Sequence, residues 1–498
     1  MSGTTLSNSF PRSDNAAAVI IPGPTPLTIS YGELTRLVSS FQSRLAQLGI
    51  TPQSAVSIAL PNTIEFIVSF LASSWQRAIA APLNSAYKQE EFEFYIDDLK
   101  SALALVPKGE FAKDGPAVRA ARKYQAAIAE CYWDGNKREV VLDVKDQGKL
   151  KGKGGQNVEK AQPDDVALVL HTSGTTGRPK AVPLTHRNLT RTMKNIQATY
   201  ELSPADRTML VMPLFNVHGF LVGFLGLFDF ITHKANWYTA VPTIHQILLR
   251  NPPPSTKPNI RFIRSCSSPL SPTTFHQLEE QYNAPVLEAY AMTEAAHQMT
   301  SSPLPPGKRQ PGSVGIGQGV EIRILDQAGK EVPQGAEAEI CIRGENVTKG
   351  YLNNPAANES SFTKDGFFRT GDQGKLDKDG YVFITGRIKE LINKGGEKIS
   401  PIELDNVLAR HPAVSEAVSF AIPDELYGQD IGVAIVLKPG QQPGEDELRG
   451  WVSEKLAKFK IPKKVYFTEI MPKTATGKIQ RRIVAEQMLK SEKPKSKL

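Results

Sequence analysis

The sequence predicts an α/β fold: a large N-terminal domain of mixed, mainly parallel sheets with a β-barrel-like subdomain, followed by a small α+β domain. Three observations carry this. Helix-period segments alternate with short apolar runs through the first hundred or so residues, the texture of a mainly parallel sheet with helices on both faces. Residues 320–344 alternate with period two around turns, the mark of antiparallel hairpins. After Gly386 the texture changes to a compact helix–strand–strand–helix pattern.

In chain order, Leu34, Leu37, Val38, Phe41, Leu45 and Leu48 recur at helical spacing, and Gly49 ends that helix. Residues 54–60 form an apolar strand candidate, Pro61-Asn62 a break, 65–76 a second helix and 102–106 another strand. Residues 145–160 are rich in Gly and Lys and read as an exposed connector. Residues 166–170 form a strand leading into a Gly/Thr-rich loop. Asp379-Gly380 marks a turn before a strand at 381–384. Beyond it come a helix at 401–410, strands at 414–422 and 432–437, and a helix at 445–456. The domains expected are 1–388, 389–491 and an exposed tail, 492–498.

The chain has 498 residues, 40% hydrophobic and 22% charged, ample for more than one core. Its net charge of +8 suits polyanionic ligands and, on charge alone, nucleic acid equally. No nucleic-acid module is recognisable, so no nucleic-acid partner is expected. Cys131, Cys266 and Cys341 lie far apart, with neither zinc-ligand nor disulfide-framework spacing. The longest apolar run, 220–231, is about a dozen residues and contains Asp229, so no membrane span is expected. Ser496-Lys497-Leu498 matches a receptor-read peroxisomal address, which predicts a peroxisomal import receptor as partner and the peroxisomal matrix as location.

Thr172, Ser173, Gly174, Thr175, Thr176, Gly177, Arg178, Pro179 and Lys180 follow the strand at 166–170. Two glycines let backbone approach phosphates, and hydroxyls with a lysine orient and neutralise them. A P-loop is excluded: only two residues separate Gly174 from Gly177, and Ala181 follows Lys180. This string resembles the signature loop of the adenylate-forming superfamily of acyl-CoA synthetases, adenylation domains and luciferases. Further matching strings follow in order: Tyr290-Ala291-Met292-Thr293-Glu294, Tyr351-Leu352-Asn353-Asn354-Pro355, residues 367–372 ending in Asp372, Gly386-Arg387-Ile388-Lys389-Glu390, and residues 472–478 ending in Lys478. Together they span about residues 28–485.

The resemblance implies an enzyme that uses ATP, Mg²⁺ and CoA. A carboxylate attacks the α-phosphate to give an acyl-adenylate and pyrophosphate, and the CoA thiol then displaces AMP. It further implies that the 172–180 loop holds the β- and γ-phosphates. Tyr290 stacks on adenine in a pocket shared with Ser267, Glu288 and Ala289. Thr293 touches the α-phosphate, Glu294 holds Mg²⁺, Asp372 accepts from the ribose hydroxyls, and Arg387 lies near ribose and phosphate. Lys478 bridges the α-phosphate and the acid. It also implies that the small C-terminal domain is mobile, turning between the two steps about Lys389 at the hinge, and that Lys394, Gly395 and Gly396 line the CoA arm.

For the acid, His218, Ser267 and His297 stand where the superfamily builds its acyl pocket. Histidines and serines there suit a short acid with a second carboxylate. Residues 237–246 and 294–299 resemble the oxalate–CoA ligase branch, which implies oxalate. A medium-chain fatty acid or a coumarate-type acid remains open, as does an inactive nucleotide-binding relative. That last alternative comes from a departure: only eighteen residues separate His218 from Trp237, on the order of twenty fewer than the resemblance calls for.

Overall fold

The computed structural model describes residues 4–11, 14–172, 178–215, 234–251, 258–473 and 479–491. The N-terminal part holds two large sheets. The first orders its seven strands as Glu139–Asp146, Ala127–Asp134, Leu103–Pro107, Ala55–Ile58, Ile79–Pro82, Val166–Thr172 and Lys180–Thr185. Its five inner strands are parallel and both edge strands antiparallel. The second runs Thr208–Met209, Trp237–Ala240, Phe262–Cys266, Val286–Met292, His297–Ser301 and Ile316–Gly317, its first four strands parallel and the last two antiparallel. The antiparallel edges refine the sequence expectation: a hairpin closes each parallel run without a crossover helix.

The expected helices form at Tyr31–Leu48 and Ile64–Trp75. Ser30 caps the first through the Glu33 amide, and Gly49 ends it at φ 106°, in the left-handed region. In the second, every residue except Glu65 is buried. A helix apolar on all faces belongs in an interior. Its residues share one core with strands of both large sheets and with Tyr290, Met299, Val320 and Ile340.

The antiparallel unit is a four-stranded sheet: Glu321–Leu325, Ala338–Arg343, Phe368–Leu376 and Val382–Arg387. The connector begins later than expected, because Glu139–Asp146 takes its first two residues.

Ile388–Glu390 is a short 3₁₀ turn, after which a five-stranded sheet builds its own core from Ile392, Leu404, Val414, Ile431, Val433, Leu448 and Val452. Its long pair, Val414–Asp424 and Gly428–Leu437, exceeds the expected strands because the ladder runs through to Asp424 and Gly428 at a tight turn. Helices Pro401–Leu408 and Glu445–Ser453 form where expected but end two and three residues early.

Candidate active site

The motif residues converge where the second sheet meets the four-stranded sheet. Tyr290 lies on Val286–Met292, two residues beyond Glu288 and therefore on the same face. Asp372 and Arg387 are direct partners across their antiparallel pair. The Tyr290 hydroxyl donates to Asp372 Oδ2, and Arg387 Nε lies 3.1 Å from Oδ1. Burial pushes the Asp372 carboxyl above the usual carboxylate range, against the pull of Arg387 and the Tyr290 hydroxyl. Burial, and then the Asp372 charge, drive the Tyr290 phenol up as well. Arg387 remains half in solvent, its side chain 55% exposed, so one end of this chain opens outward.

Glu288 and Ala289 precede Tyr290. Glu288 is 5% exposed. Its Oε1 accepts from the Gly312 amide at 2.9 Å, and the Leu270 backbone also supports it. Burial outweighs both and pushes its carboxyl up to about 7. Ser267, beside Leu270, sits at φ 75°.

Glu294 lies in the 3₁₀ turn Thr293–Ala295, between Val286–Met292 and His297–Ser301. The Thr348 amide donates to its carbonyl at 2.7 Å, and the Tyr351 hydroxyl to its Oε1 at 2.9 Å. Its carboxyl is raised by burial, with Tyr351, Lys180 and Arg387 opposing. Lys180 Nζ stands 4.5 Å from the Tyr351 ring centroid. Ala296 and His297 follow at φ 48° and 96°. Two successive non-glycine residues in that region mark a locally strained turn, a feature concentrated at functional sites. It directs His297 into the sheet, 1% exposed. Tyr351 stands in a string quoted from the sequence, yet no role was read for it. Its contact with Glu294, fifty-seven positions away, is set by the fold.

Thr172 and Lys180 pair at the end of their hairpin, which brings the two ends of the loop expected to hold phosphates together. Ser173, Gly174, Thr175, Thr176 and Gly177, and with them His218 and Lys478, lie outside the described residues. Lys394, Gly395 and Gly396 form the turn between Ile392–Lys394 and Glu397–Ile399. Lys394 Nζ is 2.6 Å from Asp430 Oδ1, and the Gly395 amide donates to the Tyr427 carbonyl at 3.1 Å. The Lys394 charge is thus neutralised within the C-terminal sheet by a partner that sequence spacing gave no sign of. Lys389 lies in the 3₁₀ turn before that sheet.

No group of three or more His, Cys, Asp or Glu side chains among the described residues is arranged to hold a metal. Mg²⁺ needs no such cage, since it keeps waters and substrate phosphates around one or two carboxylates. Glu294 fits that demand: it is a buried carboxylate near Lys180 and Tyr351, and a cation would favour the ionised form that burial opposes.

Comparison with known proteins identifies the family. The AMP-binding enzyme profile matches residues 8–229 and 226–352, and the profile of the AMP-binding enzyme C-terminal domain matches 403–478. The chain is 47% identical to an oxalate–CoA ligase of Saccharomyces cerevisiae, covering 99% of this chain and 98% of that one. It is 46% identical to an oxalate–CoA ligase of Arabidopsis thaliana, covering 98% of each. The ATP-bound crystal structure of MatB from Rhodopseudomonas palustris superposes with a TM-score of 0.83 at 30% identity, over 93% of this chain and 94% of that one. By profile, sequence and fold, the chain belongs to the family of AMP-binding enzymes, within its AMP-forming acid–CoA ligases.

Proposed function

We propose that this enzyme joins oxalate to CoA. The observation that carries the reading is the near-full-length identity, 46–47%, to two oxalate–CoA ligases. A buried polar centre around Glu294, Tyr290 and Asp372 supports its ATP-dependent step. In the first step an oxalate oxygen attacks the α-phosphorus of ATP, the bond to the bridging oxygen breaks, and pyrophosphate leaves. In the second the CoA thiol, its proton released, attacks the activated carbonyl carbon and AMP leaves.

The chain's contribution is positioning and charge stabilisation. Residues 172–180 hold the outer phosphates and Tyr290 stacks on adenine against Ser267, Glu288 and Ala289. Asp372 binds the ribose, exchanging its Tyr290 hydrogen bond for ribose hydroxyls, and Arg387 faces ribose and phosphate. Thr293 and Lys478 contact the α-phosphate. Glu294 holds Mg²⁺, which when bound offsets phosphate charge. His218, Ser267 and His297 receive the acid. Lys394, Gly395 and Gly396 line the CoA arm, and the domain from 389 to 491 turns about Lys389 between the steps. Ser496-Lys497-Leu498 addresses the protein to peroxisomes; a fluorescent fusion that stays cytosolic with the tripeptide free at its end would refute this.

Pyrophosphate release is the decisive assay, with MgATP and CoA across oxalate, malonate, octanoate and 4-coumarate. Oxalate-selective release that collapses in Lys478→Ala is expected. Selective release with octanoate or coumarate would keep the ligase and discard oxalate. A folded protein that binds MgATP yet releases pyrophosphate with no acid would be an inactive relative. One observation favours that second reading. The yeast alignment runs over 535 positions, at least 37 more than this chain has residues, and the family profile breaks at 226–229, inside the shortened segment.

A further inference from the structure

The hairpin that carries the phosphate loop is held at its base by an acid from another element. Helix Gln89–Asp98 ends on Asp97 and Asp98 and has no basic residue in its last turn. Helix C-termini disfavour negative charge, so local preference does not explain Asp98. Its contacts do. Asp98 Oδ2 accepts from His171 Nε2 at 3.0 Å, and Oδ1 accepts from an Arg178 guanidinium nitrogen at 3.3 Å. His171 immediately precedes Thr172, and Arg178 stands two residues before Lys180. In the hairpin ladder Thr172 pairs with Lys180 and His171 with Ala181. One carboxylate therefore grips the two described stems, at His171 and Arg178, that flank residues 173–177 in sequence.

The same helix supports the grip with aromatic rings. Arg178 lies over Phe94, 5.2 Å from its centroid, and the His171 ring is 4.7 Å from that of Tyr95. The two arms are unequal. The His171 side chain is 4% exposed and that of Arg178 76%, so the first is shielded and the second screened by solvent. Burial lowers the His171 pKa below its usual value despite Asp98, so near neutral pH the ring is uncharged and donates from Nε2. A bare carboxylate at the root of a polyphosphate cradle would repel the ligand. Arg178 offsets that charge, while Lys180 is directed toward Tyr351 and Glu294.

We propose that Asp98 is a positioning residue for ATP, fixing the spacing and orientation of the two stems of the phosphate loop through His171 and Arg178. This rests on residues 172–180 being the phosphate loop. Equilibrium binding of MgATP to the full-length chain, by calorimetry, tests it alongside KM for ATP and for the acid and the thermal midpoint. Asp98→Ala is expected to weaken MgATP binding and raise KM for ATP about five- to tenfold, leaving KM for the acid within about twofold. Asp98→Asn, which keeps a carbonyl oxygen for His171, is expected to recover most of that loss. Arg178→Ala alone should weaken binding about two- to threefold and add little on top of Asp98→Ala.

A lowered midpoint with unchanged MgATP affinity would make Asp98 a structural residue and overturn the proposal. If Asp98→Ala does not fold, His171→Gln and Arg178→Ala, which leave the helix intact, decide: unchanged affinity in both refutes it. Lys180→Ala separates the two layers. Weakened binding there with none in Asp98→Ala removes the clamp alone. No effect in Lys180→Ala, or no MgATP binding by the parent, removes the phosphate-loop reading and the clamp with it.

Discussion

Replacing Glu288 by Gln should change how stability depends on pH. The carboxyl is 5% exposed, held by the Gly312 and Leu270 amides, and raised from 4.5 to about 7 by burial. Below pH 4.5 it is protonated in both folded and unfolded chains. As pH rises from 4.5 to 7 the unfolded chain releases this proton while the folded chain keeps it, so the carboxyl's contribution is lost through that window and absent above it. The difference corresponds to about 3 kcal/mol. Glu288→Gln keeps an oxygen for the two amides and does not titrate. Relative to the parent it should gain about 3 kcal/mol between pH 4.5 and pH 8. Denaturant unfolding of both proteins across that range measures this, since groups common to both cancel. A Trp451→Phe background confines the tryptophan signal to Trp75, Trp133 and Trp237 in the N-terminal part, avoiding a mixture of two domain transitions. A difference between variant and parent that stays flat with pH would refute the reasoning.

Three further outcomes follow from the contacts. Tyr290→Phe keeps the ring but removes the donor to Asp372, so unfolding should show a loss of about 1–2 kcal/mol, while KM for ATP moves less than about threefold. Gly395→Ala places a Cβ 3.0 Å from Tyr427 Cδ1 at φ +59° and should cost the C-terminal domain about 1–2 kcal/mol, read from Trp451 fluorescence. Arg481→Met strips Asp405 and Glu390 of a shared guanidinium partner and should destabilise that domain by about 3–5 kcal/mol; an unchanged Trp451 transition would contradict this.

The sequence made the elements legible wherever one signal dominated. Helix Tyr31–Leu48 carried both a stripe and a stop, and the 320–344 hairpin alternated over enough residues to exclude a helix. Strand ends were less legible, because the extension of Val414–Ile422 to Asp424 depends on a partner strand that no local pattern names. The site divides the same way. Tyr290, Glu294, Asp372 and Arg387 stood in ordered strings and are near one another in space. Tyr351 on Glu294, Asp430 on Lys394 and Asp98 between His171 and Arg178 are contacts across 36 to 80 positions, invisible to spacing.

The shortened segment bears unequally on the two halves of the site. Tyr290 lies on the fourth strand of the second sheet and Glu294 in the turn that follows it. Both are tied to the four-stranded sheet or its flanks through Asp372 and Tyr351, and Tyr290 and Tyr351 belong to a core shared with the first sheet. The break falls between the first and second strands, Thr208–Met209 and Trp237–Ala240, at the opposite edge of that sheet, where the edge strand holds only two pairs. Two strands intervene before Tyr290, so its own strand makes no ladder contact at the break, but close-packed interiors transmit strain, and Leu214, just before the segment, lies in the same core as Tyr290. The hydrogen bonds of Tyr290 to Asp372 and of Tyr351 to Glu294 are made on elements away from the break, while His218 stands at the start of the segment. The difference in length bears first on the proposed acid residue His218 and, through the shared core, on Tyr290 at second hand, which is why the acid panel and MgATP binding need to be measured separately.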